Sequence, residues 1–235
     1  MMKPKLYQYT VCPFCSKVAS LLALKGIEYE AVEVHPLKKK EIEFSKDYQA
    51  VPIYIDSKGE QVNDSTPIMR HIDQEFPGRS VFETDPEKIQ NENKWLEWSE
   101  IYVKCIPTVI YRTFPKALQA FNYITQVGKF SWIESRTVKY TGAFVMSMVA
   151  KKIQKRLEIQ DPDQFLQTKI SEWADGLAGK LFMGGDQPNG ADVAVYGISR
   201  VIAHLDAGKY FRANVKFLAW FDRMQEQTRL APVQV

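Results

Sequence analysis

Cysteine and histidine are scarce in this 235-residue chain, three of each. So few cysteines in so long a chain make no disulfide framework. His35, His71 and His204 stand apart at no metal-like spacing, and no second Cys or His pair accompanies the cysteines, so no zinc or other metal site is expected. No window approaches the roughly 20 apolar residues of a membrane span. The opening stretch "MMKPKLYQYT" holds no apolar run of signal-peptide length. A one-sided charge is missing too: 31 Lys and Arg face 28 Asp and Glu, and the net charge of +3 signals neither nucleic acid nor a membrane. Repeats and low-complexity stretches are absent. What remains is 45% hydrophobic and 25% charged, the composition of a soluble globular protein large enough for one large domain or two small ones. A reducing, cytoplasmic setting is expected.

The first third alternates strand and helix patterns. "KLYQY" reads as a buried strand, and from Pro13 the pattern turns helical, with Phe14, Val18, Leu21 and Leu22 on one face and Gly26 as the stop. "YEAVEV" reads as a second strand, "LKKKEIEFS" as a short surface helix, and "VPIYI" with "QVN" as a hairpin turning at Ser57-Lys58-Gly59. "DSTPIMRHIDQEF" starts a further helix, with Asp64 or Ser65 near the cap and Pro67 in the first turn. The order is βαβ followed by ββα over residues 1–77, and "PGRSVFETDP" opens a linker over 78–90. Residues 91–235 read as an all-helical bundle. Trp95, Trp98, Tyr102 and Cys105 share a face, as do Leu166, Ile170, Trp173, Leu177 and Leu181, and Ala194, Ile198, Val201 and Leu205. Phe144 to Ile153 is an apolar segment with a basic end at Lys151, Lys152, Lys155 and Arg156.

The sharpest local feature is "YTVCPFCSKV", which puts Cys12 and Cys15 two residues apart between a strand and a helix. Backbone N–H groups at a helix N-terminus stabilise a thiolate. Cys12, just before the helix, is therefore the candidate nucleophile, and Cys15, a turn in, the resolving or merely packed partner. Two buried structural cysteines are the plain alternative. In "AVPIYI", a cis Val51–Pro52 bond would turn the Val51 backbone toward the cysteines, ready to pair with an extended peptide; an ordinary trans proline at a strand start is equally compatible. In "NDSTP", Ser65 at a helix N-terminus could receive a carboxylate and Asp64 an ammonium, as the α-amino-acid end of a γ-glutamyl group requires; a simple helix cap is the plain reading. Tyr9, three residues before Cys12, could bring its hydroxyl to the thiol or lie in the core. Tyr111, Arg112 and Thr113 could face a cleft, with a salt-bridged Arg112 the simpler account. Lys38–Lys40 read as a solvated face within reach of a glycine carboxylate.

Together these features describe a glutathione site: thiol at Cys12, peptide backbone at Val51, γ-glutamyl end at Asp64 and Ser65. The layout resembles the glutathione transferases, a thioredoxin-like domain followed by a helical one, and "GGDQPNGADVAVYG" looks like their helix cap, with Asn189 as N-cap and Asp192 at N3. The segments "LYQYTVCPFCSKV", "VEVHPLKKKEIEFS", "VPI", "NDS", "VYRTFPKAL", "GKFSWIES", "KYTGA" and "FMGGDQPNGADVAVYG" resemble, in the same order, a membrane-associated branch of that family that isomerises lipid endoperoxides. The resemblance implies that Cys12 is catalytic, that Tyr9 assists it, and that Phe14, Val51, Pro52, Asp64 and Ser65 bind glutathione. It also implies a homodimer and haem held through the glutathione thiolate. Two departures stand out: no apolar N-terminal anchor precedes the strand, and "HIDQEFPGRSVFETDP" replaces a long insertion. The expected function is glutathione-dependent transferase or thiol oxidoreductase chemistry at Cys12 on a small electrophilic, disulfide or lipid-peroxide substrate. The alternatives are endoperoxide isomerisation and a non-enzymatic glutathione–haem binding or interaction protein.

Overall fold

The computed structural model of the chain describes residues 2–36, 38–127 and 132–230. Leu37, at the head of "LKKKEIEFS", and residues 128–131 of "GKFSWIES" lie outside the described residues.

Strand β1 (Lys5–Gln8) leads into α1 (Pro13–Leu24), which returns through Gly26 to β2 (Glu30–Glu33). Pro13 suits the first helical position, where its missing N–H costs nothing. The helix stops because Gly26 takes φ +65°. Its N–H then reaches Ala23 O and the Ile27 N–H reaches Leu22 O, a Schellman closure that a β-carbon would disfavour. β3 (Ile53–Ile55) and β4 (Gln61–Asn63) form the expected hairpin, and α2 (Ser65–Glu75) follows. The sheet order is β2-β1-β3-β4, with β1 parallel to β2 and antiparallel to β3. In register, Tyr7 faces Ile53 and Ile53 faces Asn63.

The segment expected as a surface helix is instead a single 3-10 turn, Lys40–Ile42. Its Ile42 is fully buried with Val34 and Ile53, so the segment is a pinned loop.

Ten helices are described in all. Those after α2 are α3 (Pro86–Ile110), α4 (Phe114–Val127), α5 (Trp132–Thr137), α6 (Ala143–Arg156), α7 (Pro162–Gly176), α8 (Gly190–Arg200), α9 (Gly208–Ala213) and α10 (Val215–Thr228). A π-helical turn, Val138–Gly142, joins α5 to α6. α3 begins inside the stretch 78–90 read as linker, where Asp85 accepts from the N–H groups of Glu87 and Lys88. Leu181 departs from the expected helical row and is 48% exposed. α7 has ended by then, and Ala178 and Gly179 turn the chain through positive φ.

One apolar core runs from the sheet into the bundle, from Leu6, Val18 and Leu22 through Tyr102 and Val195 to Trp173 and Trp220. The tryptophan rings meet edge to face, Trp95 to Trp173 at 5.2 Å and Trp173 to Trp220 at 4.9 Å between centroids. The expected capping box is present: Asn189 accepts from Ala191 and Asp192, and the Asp192 carboxylate accepts from Asn189 N–H. Asp192 does more than cap. It is fully buried and also accepts from Met183 N–H and from Trp220 Nε1–H at 2.8 Å.

Candidate active site

Cys12 is the N-cap of α1. Its backbone N–H donates to Tyr9 O and its carbonyl accepts from Ser16 N–H, so the thiol stands at the turn between strand and helix. All three cysteines are free; Cys12 is half-buried and Cys15 and Cys105 are buried. The Cys12 thiol is held below its ordinary value, chiefly by the Cys15 S–H donating to it and further by the Cys15 and Phe14 backbone N–H groups. Burial pushes the Cys15 thiol well up, and donating to Cys12 pushes it the same way. One thiol is thus poised to ionise and the other to stay protonated. Burial likewise drives Cys105 up to about 12, and its S–H donates to Ile101 O.

Tyr9 packs beside Val51 and Tyr48 on the small cluster of Val34, Ile42 and Ile53. Burial, with the nearby cysteine charges, raises its phenol to about 12. The groups that stabilise the Cys12 thiolate are the Cys15 side chain and two backbone amides; the Tyr9 hydroxyl is not among them. The Val51–Pro52 bond is cis, and the strand ladder ends at Ile53, leaving Val51 outside it.

Asp64 is the N-cap of α2 at φ 68°, and one of its carboxylate oxygens accepts from Ser65 N–H at 2.6 Å. Ser65 Oγ makes no hydrogen bond among the described residues. Two residues unforeseen in the sequence stand in the neighbourhood of this pair. Lys17, fully buried on α1, donates to Thr66 Oγ1 at 3.3 Å and pairs with Glu100 of α3 at 2.9 Å. The half-buried Tyr48 packs with Tyr9 and Val51 on the small cluster, and burial, with the charges of Asp64 and of both cysteines, raises its phenol. A lone Lys in a helix reads as surface, and neither residue carries a sequence signal.

Over the cysteines lies an apolar cleft. One cavity, about 240 Å³, includes Cys12, Phe14, Ile106 and Tyr111 in its wall. A second, about 340 Å³, is bounded by Tyr9, Glu33, Tyr111 and Phe121. Val11, Tyr111, Ile124 and Met146 belong to both, which makes them one continuous cleft. Arg112 faces Asp163 at 2.8 Å, the simpler of its two expected roles. Lys39 is spent on Gln49 O at 2.7 Å, while Lys38 is exposed. Asp56, His71 and Glu75 bring ligand atoms within 4.8 Å of one another. Their bonds are internal: His71 Nε2 lies 3.0 Å from Asp56, and Glu75 accepts from Tyr54 O–H and Ser57 N–H. The trio staples the hairpin to α2.

A four-stranded thioredoxin-like sheet with a cysteine at the first helix, joined to a helical bundle, defines the class of glutathione-transferase folds. The family description "Glutathione S-transferase, N-terminal domain" matches residues 6–80. Prostaglandin E synthase 2 of Mus musculus is 32% identical, over 97% of this chain and 71% of that relative. The chain therefore belongs to the glutathione transferase superfamily, in the branch of prostaglandin E synthase 2. Among solved structures, a β-etherase of Sphingobium sp. strain SYK-6 superposes with a TM-score of 0.66 at 21% identity, over 95% of each chain. A glutathione transferase of Methylobacillus flagellatus with glutathione bound gives 0.62 at 16% identity, over 98% of this chain and 100% of that one. No helix among the described residues is long and apolar enough to cross a membrane.

Proposed function

We propose that the protein is a glutathione-dependent thiol enzyme in which Cys12 is the nucleophile and an apolar electrophile, disulfide or lipid peroxide occupies the cleft. The observation that carries this reading is the Cys12 thiol, lowered in pKa by Cys15 and by two helix amides, at the wall of an apolar cleft.

The chemistry of the neighbouring groups fits glutathione. At the start of α2, the Ser65 hydroxyl and helix amides suit the γ-glutamyl carboxylate, and the second Asp64 oxygen suits its ammonium. The Val51 backbone, outside the ladder, suits strand-like pairing with the tripeptide, flanked by Phe14 and Pro52. In the disulfide reaction, the Cys12 thiolate attacks the glutathione sulfur of a mixed disulfide. The S–S bond breaks, the substrate thiolate leaves and takes a proton, and Cys12 is joined to glutathione. A second glutathione thiolate attacks that sulfur, releasing glutathione disulfide and the Cys12 thiolate. Cys15, held protonated, serves as a donor and is not required to resolve. The phenol of Tyr9, raised to about 12, stays protonated at neutral pH and can supply a proton in the cleft.

The second reading is isomerisation of a lipid endoperoxide, favoured by the apolar wall of the larger cavity and by the similarity to prostaglandin E synthase 2. That step is redox-neutral: a proton leaves the carbon next to one oxygen, the O–O bond breaks, and the other oxygen gains a proton. Haem fits less well. The described residues that line the cleft include no Lys or Arg to pair with the propionates, and the thiolate there, Cys12, already has the nucleophile's role, so no step passes through haem. A homodimer and a reducing, cytoplasmic setting belong to the same reading.

The test is turnover of a small disulfide with glutathione, together with a thermal shift at millimolar glutathione. A shift, with activity lost in Cys12→Ser, supports the reading; no shift and full activity in Cys12→Ser overturn it.

A further inference from the structure

Helix α6 contains no acidic residue between Ala143 and Arg156. Its inward face carries the buried Ala143 and Ala150, together with Met146, which reaches the cleft. Its outward face is divided along its length. Phe144, Val145, Met148 and Val149, in the first two turns, are 59%, 53%, 58% and 36% exposed, and Tyr140 of the preceding π-helical turn is 54% exposed. Lys151, Lys152, Lys155 and Arg156 occupy the last two turns, all exposed. At 100° per residue these exposed side chains fall on one half of the helix surface. None of the four cations pairs with a carboxylate among the described residues. Exposed hydrophobic side chains scattered singly need no explanation, but a contiguous set of this size marks a docking surface.

We infer that this face of α6 docks on an anionic lipid surface, the large apolar side chains entering the headgroup–acyl boundary and the four cations meeting lipid phosphates and carboxylates. The charge pattern selects this occupant. An anionic bilayer offers these four cations the opposite charge and sets it beside an apolar layer. The placement serves an apolar substrate as well: Val138, Thr141, Gly142 and Met146, from the same π-helical turn and the inner side of α6, wall the larger cavity. A molecule dissolved in the bilayer would meet the cleft at its own rim. The inference concerns the surface alone and does not depend on Cys12.

The test is co-sedimentation of the full chain with vesicles of phosphatidylcholine alone and of phosphatidylcholine with about one third phosphatidylserine. The expected result is binding to the anionic vesicles only, weakening as salt rises. Lys151→Glu/Lys152→Glu/Lys155→Glu/Arg156→Glu should reduce partitioning at least about a hundredfold, since each cation near such a surface contributes about fivefold. Phe144→Ser/Met148→Ser should reduce it while leaving the salt dependence in place. Both variants change exposed side chains outside the cleft, so the melting temperature and turnover of a water-soluble disulfide should stay at wild-type values. Absence of binding to anionic vesicles at low salt overturns the inference. So does a wild-type dimer, seen by sedimentation, that Phe144→Ser/Met148→Ser dissociates, because a second copy then covers the face. Retention on an acidic polypeptide column without vesicle binding would assign the face to an acidic protein and overturn it equally.

Discussion

Gly197 of α8 and Lys17 of α1 meet backbone to backbone: a β-carbon on Gly197 would lie 2.6 Å from Lys17 Cα and 2.7 Å from its nitrogen. The helical half thereby rests directly on the helix that presents Cys12. Arg200, one turn further along α8, donates to Ser16 Oγ at 3.1 Å. The position of the thiol is set by the bundle as well as by the sheet.

Gly197→Ala must separate the two helices, since the atoms in the way are backbone and cannot rotate aside. The expected cost is about 1–3 kcal/mol, read as a lower urea midpoint at unchanged slope. Cys12 alkylation should change in the same variant, because α1 moves. Wild-type stability would mean the contact yields more easily than its geometry implies.

Lys25 and Asp73 clamp α1 to α2 with a 2.7 Å ion pair whose side chains are 8% and 7% exposed. Burial alone would raise the Asp73 carboxyl, but the bonds from Lys25, Ser80 and Val81 N–H hold it below its ordinary 3.8. A depressed carboxyl stabilises the fold above its unfolded value and loses that stabilisation as pH falls through the folded one. Asp73→Asn should therefore cost about 3 kcal/mol at pH 7. The gap from wild type should close as the pH drops below 3.8. Urea titrations of both proteins at several pH values check this.

Asp192 is the acceptor for Met183, Gly184 and Asn189 N–H groups and for Trp220 Nε1–H. Asp192→Ala leaves those buried donors unmet and should cost about 3 kcal/mol or more. Asn189→Ala removes only the cap and should cost about 1 kcal/mol. Equal losses in thermal or urea unfolding would contradict the larger role given to Asp192.

Local patterns announced much of this fold in the sequence. The strand–CxxC–helix turn, the hairpin, the Asp64–Ser65 cap and the Asn189/Asp192 box each depend on neighbours within a few residues, and each appears where its pattern stands. What escaped depends on partners far along the chain. Lys17 becomes a buried link only because Thr66 and Glu100 fold around it. Gly197 matters only because α1 arrives against it. Ile42 turned a polar stretch into a pinned loop because Val34 and Ile53 wait beneath it. Periodicity marked Phe144 to Ile153 as apolar but could not say that half of that surface would face outward.

Met146 stands in both parts of the cleft. Met146→Trp should fill it and raise KM for an apolar substrate by roughly tenfold. Glutathione affinity by calorimetry should stay unchanged, because Asp64 and Ser65 lie away from it. An equal loss for a small water-soluble disulfide would place the second substrate elsewhere.

Site-resolved alkylation of the wild-type chain between pH 5 and 9, followed by peptide mass spectrometry, tests the reactive thiol most directly. The account predicts that Cys12 labels first, with its rate rising at a pH below the ordinary thiol value of 9.0, while Cys15 and Cys105 resist until the chain unfolds. Faster labelling of Cys15, or a Cys12 profile no lower than that of an ordinary thiol, would contradict it and return the pair to a structural role.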